Sequence, residues 1–157
     1  MTVVLRESRL TTREATQAFG GELARLLRGG DLVVLTGDLG AGKTTFTQGL
    51  AEGLGVRGPI TSPTFVIARV HPSLVEGPPL VHVDAYRLGG LEDLDALDLD
   101  ASLEESVTVV EWGHGLVEGL AEDHLEIVLV ADPETEERQV TVTGRGPRWT
   151  DSTESAT

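Results

Sequence analysis

Eight consecutive residues, Gly37-Asp38-Leu39-Gly40-Ala41-Gly42-Lys43-Thr44, limit what this chain can fold into more than any other feature. They match the phosphate-loop pattern G-x-x-x-x-G-K-[ST], which requires a strand before it and a helix after it. The glycines let the backbone curl so that successive N–H groups point at phosphate oxygens, and the following helix offers its positive end to the same anion. Both flanks are present. Asp31 to Thr36 is a short, almost wholly apolar run, as expected of a strand buried on both faces of a parallel sheet. Lys43 to Leu54 then places Phe46, Leu50, Ala51 and Leu54 on one helical side. In such a loop Lys43 reaches the terminal phosphates as a point charge, and the Thr44 hydroxyl takes a Mg²⁺ coordination position.

The rest of the chain supplies partners for that unit. Thr2 to Leu5 reads as a strand. A helix follows from Thr11, which with Glu14 forms a capping-box pattern, and Ala15, Ala18, Phe19, Leu23, Leu26 and Leu27 recur at helical spacing until Gly29-Gly30. Phe65 to Val70 and Leu80 to Tyr86 form two strand-like runs joined by the Pro- and Gly-containing stretch His71 to Pro79, a hairpin with a wide connection. Short helices are expected around Leu91 to Leu99 and Leu116 to Ala121, and strands at Val107 to Val110, Leu125 to Val130 and Gln139 to Thr143. Alternating strands and helices give an α/β fold, a phosphate-loop NTPase-like three-layer sandwich with a mostly parallel central sheet and an antiparallel hairpin. The length suits one domain, residues 1–149, followed by a polar tail, 150–157, with little to bury.

A phosphate loop needs acids for its metal and water. Leu80-Val-His-Val-Asp84 and Val107-Thr-Val-Val-Glu111 are apolar runs that each end in a carboxylate. Ligands of open α/β sheets bind beyond the carboxyl ends of the strands, so Asp84 and Glu111 are assigned to Mg²⁺ and the attacking water. Read alone, either acid would pass for a turn cap. Ser62 and Thr64, in Thr61-Ser-Pro-Thr-Phe65, offer hydroxyls that could sense a terminal phosphate, although Ser-Pro-Thr is also ordinary turn chemistry. The four histidines show no zinc-ligand spacing and read as core or solvated residues; Trp149 reads as packing on the domain edge.

Charge sets the remaining limits. The formal net charge is −14, yet residues 88–137 hold sixteen acids and no Lys or Arg, while residues 1–87 hold nine basic residues against eight acids. The phosphate-binding half is therefore close to neutral, and Lys43 is the only lysine in the chain. Such a balance argues against direct binding to nucleic acid or an anionic membrane. The seven acids between Glu92 and Glu105 form a candidate docking face for a basic partner surface. No apolar run is long enough to span a membrane and the chain has no cysteine, so a cytoplasmic location is expected and disulfides and thiol catalysis are excluded.

Gly37 to Thr45, Ser62-Pro-Thr-Phe65, His82-Val-Asp-Ala-Tyr-Arg-Leu88 and Glu111-Trp112, in this order and spacing, resemble the bacterial tRNA threonylcarbamoyladenosine biosynthesis ATPase family, TsaE (earlier YjeE), over about residues 10–145. The resemblance implies an ATPase that acts on the TsaB–TsaD complex, which installs threonylcarbamoyl on adenosine 37 of ANN-decoding tRNAs, and that touches tRNA only through it. It implies ATP phosphates on Asp38, Leu39, Gly40, Ala41, Gly42, Lys43, Thr44 and Thr45, and Mg²⁺ on Thr44 and Glu111 with Asp84 beside it. Lys43, Asp84 and Glu111 carry the catalysis, and Trp112 is a mobile aromatic near nucleotide and partner. By position, the adenine side falls to Thr11 to Arg13 and to Arg138. No obvious arginine finger stands near the motifs except Arg87 and Arg69. Two other readings share the phosphate loop: a small kinase, which would need a basic lid that residues 88–137 cannot build, and a nucleotide-gated binding module whose hydrolysis is incidental.

Overall fold

In the computed structural model, residues 2–37, 42–56, 68–84, 105–111, 123–132, 134–135 and 137–150 are described. Seven strands, β1 (Thr2–Leu10), β2 (Leu32–Thr36), β3 (Ala68–His71), β4 (Leu80–Asp84), β5 (Val107–Glu111), β6 (His124–Ala131) and β7 (Arg138–Arg145), form one sheet in the order β1-β7-β6-β2-β5-β4-β3. The helices among the described residues are α1 (Arg13–Ala24), α2 (Lys43–Leu54) and the single turn α3 (Pro147–Thr150). The four central strands, β6, β2, β5 and β4, run parallel, and β3, β7 and β1 add antiparallel edges. This is the expected α/β architecture, with β3–β4 as the expected hairpin. The helices expected within residues 91–99 and 116–121, and the tail 151–157, lie outside the described residues.

Strand β2 is the axis of the sheet because it is apolar on both faces. Leu32, Val33, Val34 and Leu35 are each fully buried, and burying a side chain of this size contributes about 1.5–3 kcal/mol. Val33 and Leu35 meet Phe19, Leu23, Phe46 and Leu50 of α1 and α2 in the main core, together with Val109, Leu125 and Ile127. Phe19 and Phe46 join the two helices, their rings 6.1 Å apart. The helices also approach closely through glycine: a Cβ built on Gly49 would stand 1.8 Å from the Gln17 carbonyl oxygen, so only a hydrogen fits there. The helix that carries the phosphate-loop lysine is thereby locked to α1.

Several expected boundaries move. Thr12, not Thr11, caps α1: its side-chain oxygen accepts the Ala15 N–H at 3.0 Å, so the Thr11/Glu14 capping box does not form. The helix ends at Ala24 rather than running to Gly29-Gly30, and Leu26 is left exposed. Strand β1 extends to Leu10 because β7 pairs with it along its length, with a register shift between Val4 and Arg6. Trp149 is a core residue rather than an edge one, lying over Gly144 beside Leu5. Among the described residues no helix is long and apolar enough to cross a membrane.

Candidate functional site

The parallel register gathers the carboxyl ends of β2, β4 and β5 into one row. Leu35 pairs with Glu111, and Glu111 pairs with Asp84, so Glu111 stands beside the strand that leads into the phosphate loop and Asp84 one strand further out. Strand β2 ends at Thr36, and Gly42, just before α2, has a φ of 98°, a conformation that L residues rarely adopt. Gly42 is also the N-cap of α2 and brings no side chain to close the helix end. Residues 38–41 lie outside the described residues.

Lys43 opens α2 and is buried. Its ammonium folds back and donates to the Gly37 carbonyl at 2.6 Å, joining the residues that flank the loop. The Thr47 hydroxyl donates to the Lys43 carbonyl at 2.9 Å and ties down the first turn. Thr44 and Thr45, beside Lys43, are half-buried.

Glu111, only 4% exposed, has Oε2 2.5 Å from Nε2 of His82, a fully buried ring on the neighbouring strand. His82 is the core histidine that sequence reading allowed for. Its tie to the candidate metal ligand was not anticipated. An imidazole inside an apolar strand, two residues before a strand-end acid, is the one signal in the sequence that points to it.

The residues assigned to the adenine side converge. Leu10, which leads into Thr11 to Arg13, pairs with Arg138 across β1 and β7. Arg138 in turn lies against Gly42: a Cβ on that glycine would stand 3.5 Å from Arg138 Nε and 3.7 Å from Thr16 Cγ2. Thr16 is a neighbour that sequence reading missed, and its place one turn beyond the Thr12 cap is the cue that would have found it. Thr11 and Arg13 are exposed at the rim of this group. Ser62, Thr64 and Trp112 lie outside the described residues.

A family model described as threonylcarbamoyl adenosine biosynthesis protein TsaE matches residues 10–140. The chain belongs to the TsaE family. It is 67% identical over 134 residues to a tRNA threonylcarbamoyladenosine biosynthesis protein TsaE of Streptomyces coelicolor, covering 83% of this chain and 90% of that one. A TsaE protein of Bacillus subtilis is 39% identical over 142 residues, covering 90% of this chain and 87% of the relative. The crystal structure of Bacillus subtilis YdiB matches with a TM-score of 0.74 at 36% identity, over 99% of this chain and 95% of that chain. The fold is accordingly phosphate-loop NTPase-like, and TsaE membership places the chain in tRNA threonylcarbamoyladenosine biosynthesis, a tRNA-processing function.

Proposed function

We propose that this TsaE-family chain is a cytoplasmic, Mg²⁺-dependent ATPase, slow on its own, that acts on the TsaB–TsaD complex during threonylcarbamoylation of adenosine 37 in ANN-decoding tRNAs. The observation that carries the reading is Lys43, the chain's only lysine, buried at the loop with its ammonium on a backbone carbonyl. Burying an ammonium is costly, and this one is held between the two residues that flank the phosphate-loop sequence, where a bound anion would meet it. A phosphate oxygen adds the attraction of opposite charges to the hydrogen bond that a carbonyl offers this ammonium, which fits Lys43 to a nucleotide phosphate.

The phosphates of ATP lie on Asp38 to Thr45 in this reading, and Thr11, Arg13 and Arg138 serve the base side. For the metal, Thr44, Glu111 and Asp84 supply hydroxyl and carboxylate oxygens, the hard donors that Mg²⁺ takes together with nucleotide phosphates. Among the described residues no group of three or more His, Cys, Asp or Glu is gathered, and Mg²⁺ is usually held by one or two carboxylates plus phosphates rather than by such a cage. When bound, the ion would neutralise charge on the phosphates. Glu111 or Asp84 orients the attacking water, Ser62 and Thr64 sense the terminal phosphate, and Trp112 faces the nucleotide and partner. Slow turnover follows in this reading from a sequence that offers no obvious arginine finger near the motifs except Arg87 and Arg69, since such a group adds about 10³–10⁵ in rate.

The test pairs Lys43→Ala with the wild-type chain. Loss of ATP binding, and of ATP-dependent support for multi-turnover tRNA modification by TsaB–TsaD, is expected; an unaffected variant overturns the reading. Capture of the TsaB–TsaD pair with and without ATP checks the partner. Phosphate delivered to a small acceptor instead of free phosphate would make the chain a kinase. Full function in a Glu111→Gln variant that binds but does not hydrolyse ATP would make it a nucleotide-gated module.

A further inference from the structure

His82 has no chemical role in the reading above, yet its place in β4 calls for one. It sits among Leu80, Val81 and Val83, all buried, and is itself fully buried. An imidazole in such a place is costly unless its polar atoms are paired. Nδ1 has no hydrogen-bond partner among the described residues, so all the ring's polar bonding goes through Nε2 to Glu111. A carboxylate only accepts, so Nε2 carries the hydrogen and donates. His82 pairs in register with Val109, and Glu111 lies two residues further toward the carboxyl ends, the diagonal neighbour on the same face. The ring therefore engages Oε2 from the core side and leaves Oε1 as the oxygen it does not hold.

We infer that His82 is a positioning residue: it holds the Glu111 carboxylate in the orientation from which that group serves the cation at the phosphate loop. The inference rests on the Mg²⁺-ATP reading. A histidine that merely filled the core would be replaceable by any buried side chain of similar size, whereas one that aims a metal ligand requires a donor at the position of Nε2. Groups that orient a metal ligand in this way typically change metal affinity by about 10–100-fold when removed.

Three variants separate these roles: His82→Leu fills the space with no donor, His82→Gln can place an amide N–H near the position of Nε2, and His82→Asn places one only near Nδ1. ATP affinity is measured by calorimetry with Mg²⁺ and again with a chelator, and folding stability by thermal unfolding of the ligand-free protein. For His82→Leu and His82→Asn, affinity in chelator should stay within about twofold of wild type while the gain from Mg²⁺ shrinks by about tenfold or more. His82→Gln should recover most of that gain. An unchanged Mg²⁺ gain in His82→Leu and His82→Asn overturns the inference, as does an equal loss of affinity with and without Mg²⁺. If His82→Leu does not fold, the Gln/Asn contrast decides; if all three variants lose the fold, the pair serves the core and the inference fails. A wild-type chain whose ATP affinity gains nothing from Mg²⁺ overturns the parent reading, an outcome distinct from a wild-type gain that the variants retain.

Discussion

Arg138 packs against Gly42, so that a Cβ on the glycine would stand 3.5 Å from Arg138 Nε. The first residue of β7 and the cap of α2 are thus neighbours, although 96 positions separate them in the chain. The contact sets a guanidinium beside the residue that caps the helix carrying Lys43. Arg138→Ala should weaken ATP binding about tenfold, the loss of one charged hydrogen bond of about 1.5 kcal/mol, while leaving thermal stability nearly unchanged. Gly42→Ala should act differently. At a φ of 98° a Cβ costs about 1–2 kcal/mol, so the loop should distort and ATP binding should fall further than in Arg138→Ala. Calorimetric titration of both variants checks this, and equal affinity of Gly42→Ala and wild type would refute it.

The α1–α2 crossing gives a second prediction. Gly49 lies where a Cβ would meet the Gln17 backbone at 1.8 Å, a collision with main chain that no rotamer relieves. Gly49→Ala should destabilise the protein by about 2–3 kcal/mol, the upper end of overpacking costs, and lower Tm by roughly 5–10 °C. Gly21, on the facing helix, is the control. Its Cβ would meet the Gly49 carbonyl oxygen at 3.5 Å, an ordinary contact, so Gly21→Ala should be neutral or gain up to about 1 kcal/mol from helix propensity. Urea unfolding of the two variants decides, and a matched loss in both would show that the crossing is not held by close approach.

These contacts explain what could be read from the sequence. The bounds of α2, Lys43–Leu54, were legible because strand, glycine loop and helix follow one another locally. Strand β1 was read as ending at Leu5, because Arg6, Glu7, Ser8 and Arg9 carry no apolar signal; β7 extends it to Leu10 through backbone pairing that composition does not encode. The same division runs through the site. Lys43 and Glu111 were found from a motif and from a strand-end position. The His82–Glu111 bond depends on the β4–β5 register, and the Arg138–Gly42 contact on β7 lying between β1 and β6, both of which tertiary structure alone decides.

A final prediction concerns the turn that delivers Arg138. Asp132 follows β6, and its Oδ1 accepts the Glu134 N–H at 2.8 Å, while its own N–H donates to the Glu137 carbonyl at 2.8 Å. The Glu134 N–H above all, then the Thr135 N–H and hydroxyl and the Arg9 guanidinium, hold its carboxyl below the usual aspartate value of 3.8. A folded-state pKa below the unfolded one contributes stability that is fully present above the unfolded value and disappears as pH falls through the lowered one. The stability difference between wild type and Asp132→Ala should therefore be constant from neutral pH down to about pH 5 and close progressively at lower pH. Asp132→Asn, which keeps an acceptor oxygen for the Glu134 N–H but cannot ionise, should show a smaller cost at neutral pH that closes over the same acid range, so that the difference between the Asn and Ala variants stays independent of pH. Urea unfolding across a pH series measures both, and a wild-type advantage over Asp132→Ala that persists unchanged in acid would refute the charge-based account. Because the same turn sets where β7 begins, Asp132→Ala should also weaken ATP binding in the direction of Arg138→Ala, by a smaller factor. A loss of stability with no change in ATP affinity would mean that Arg138 is placed by its pairing with Leu10 and Ala131 alone.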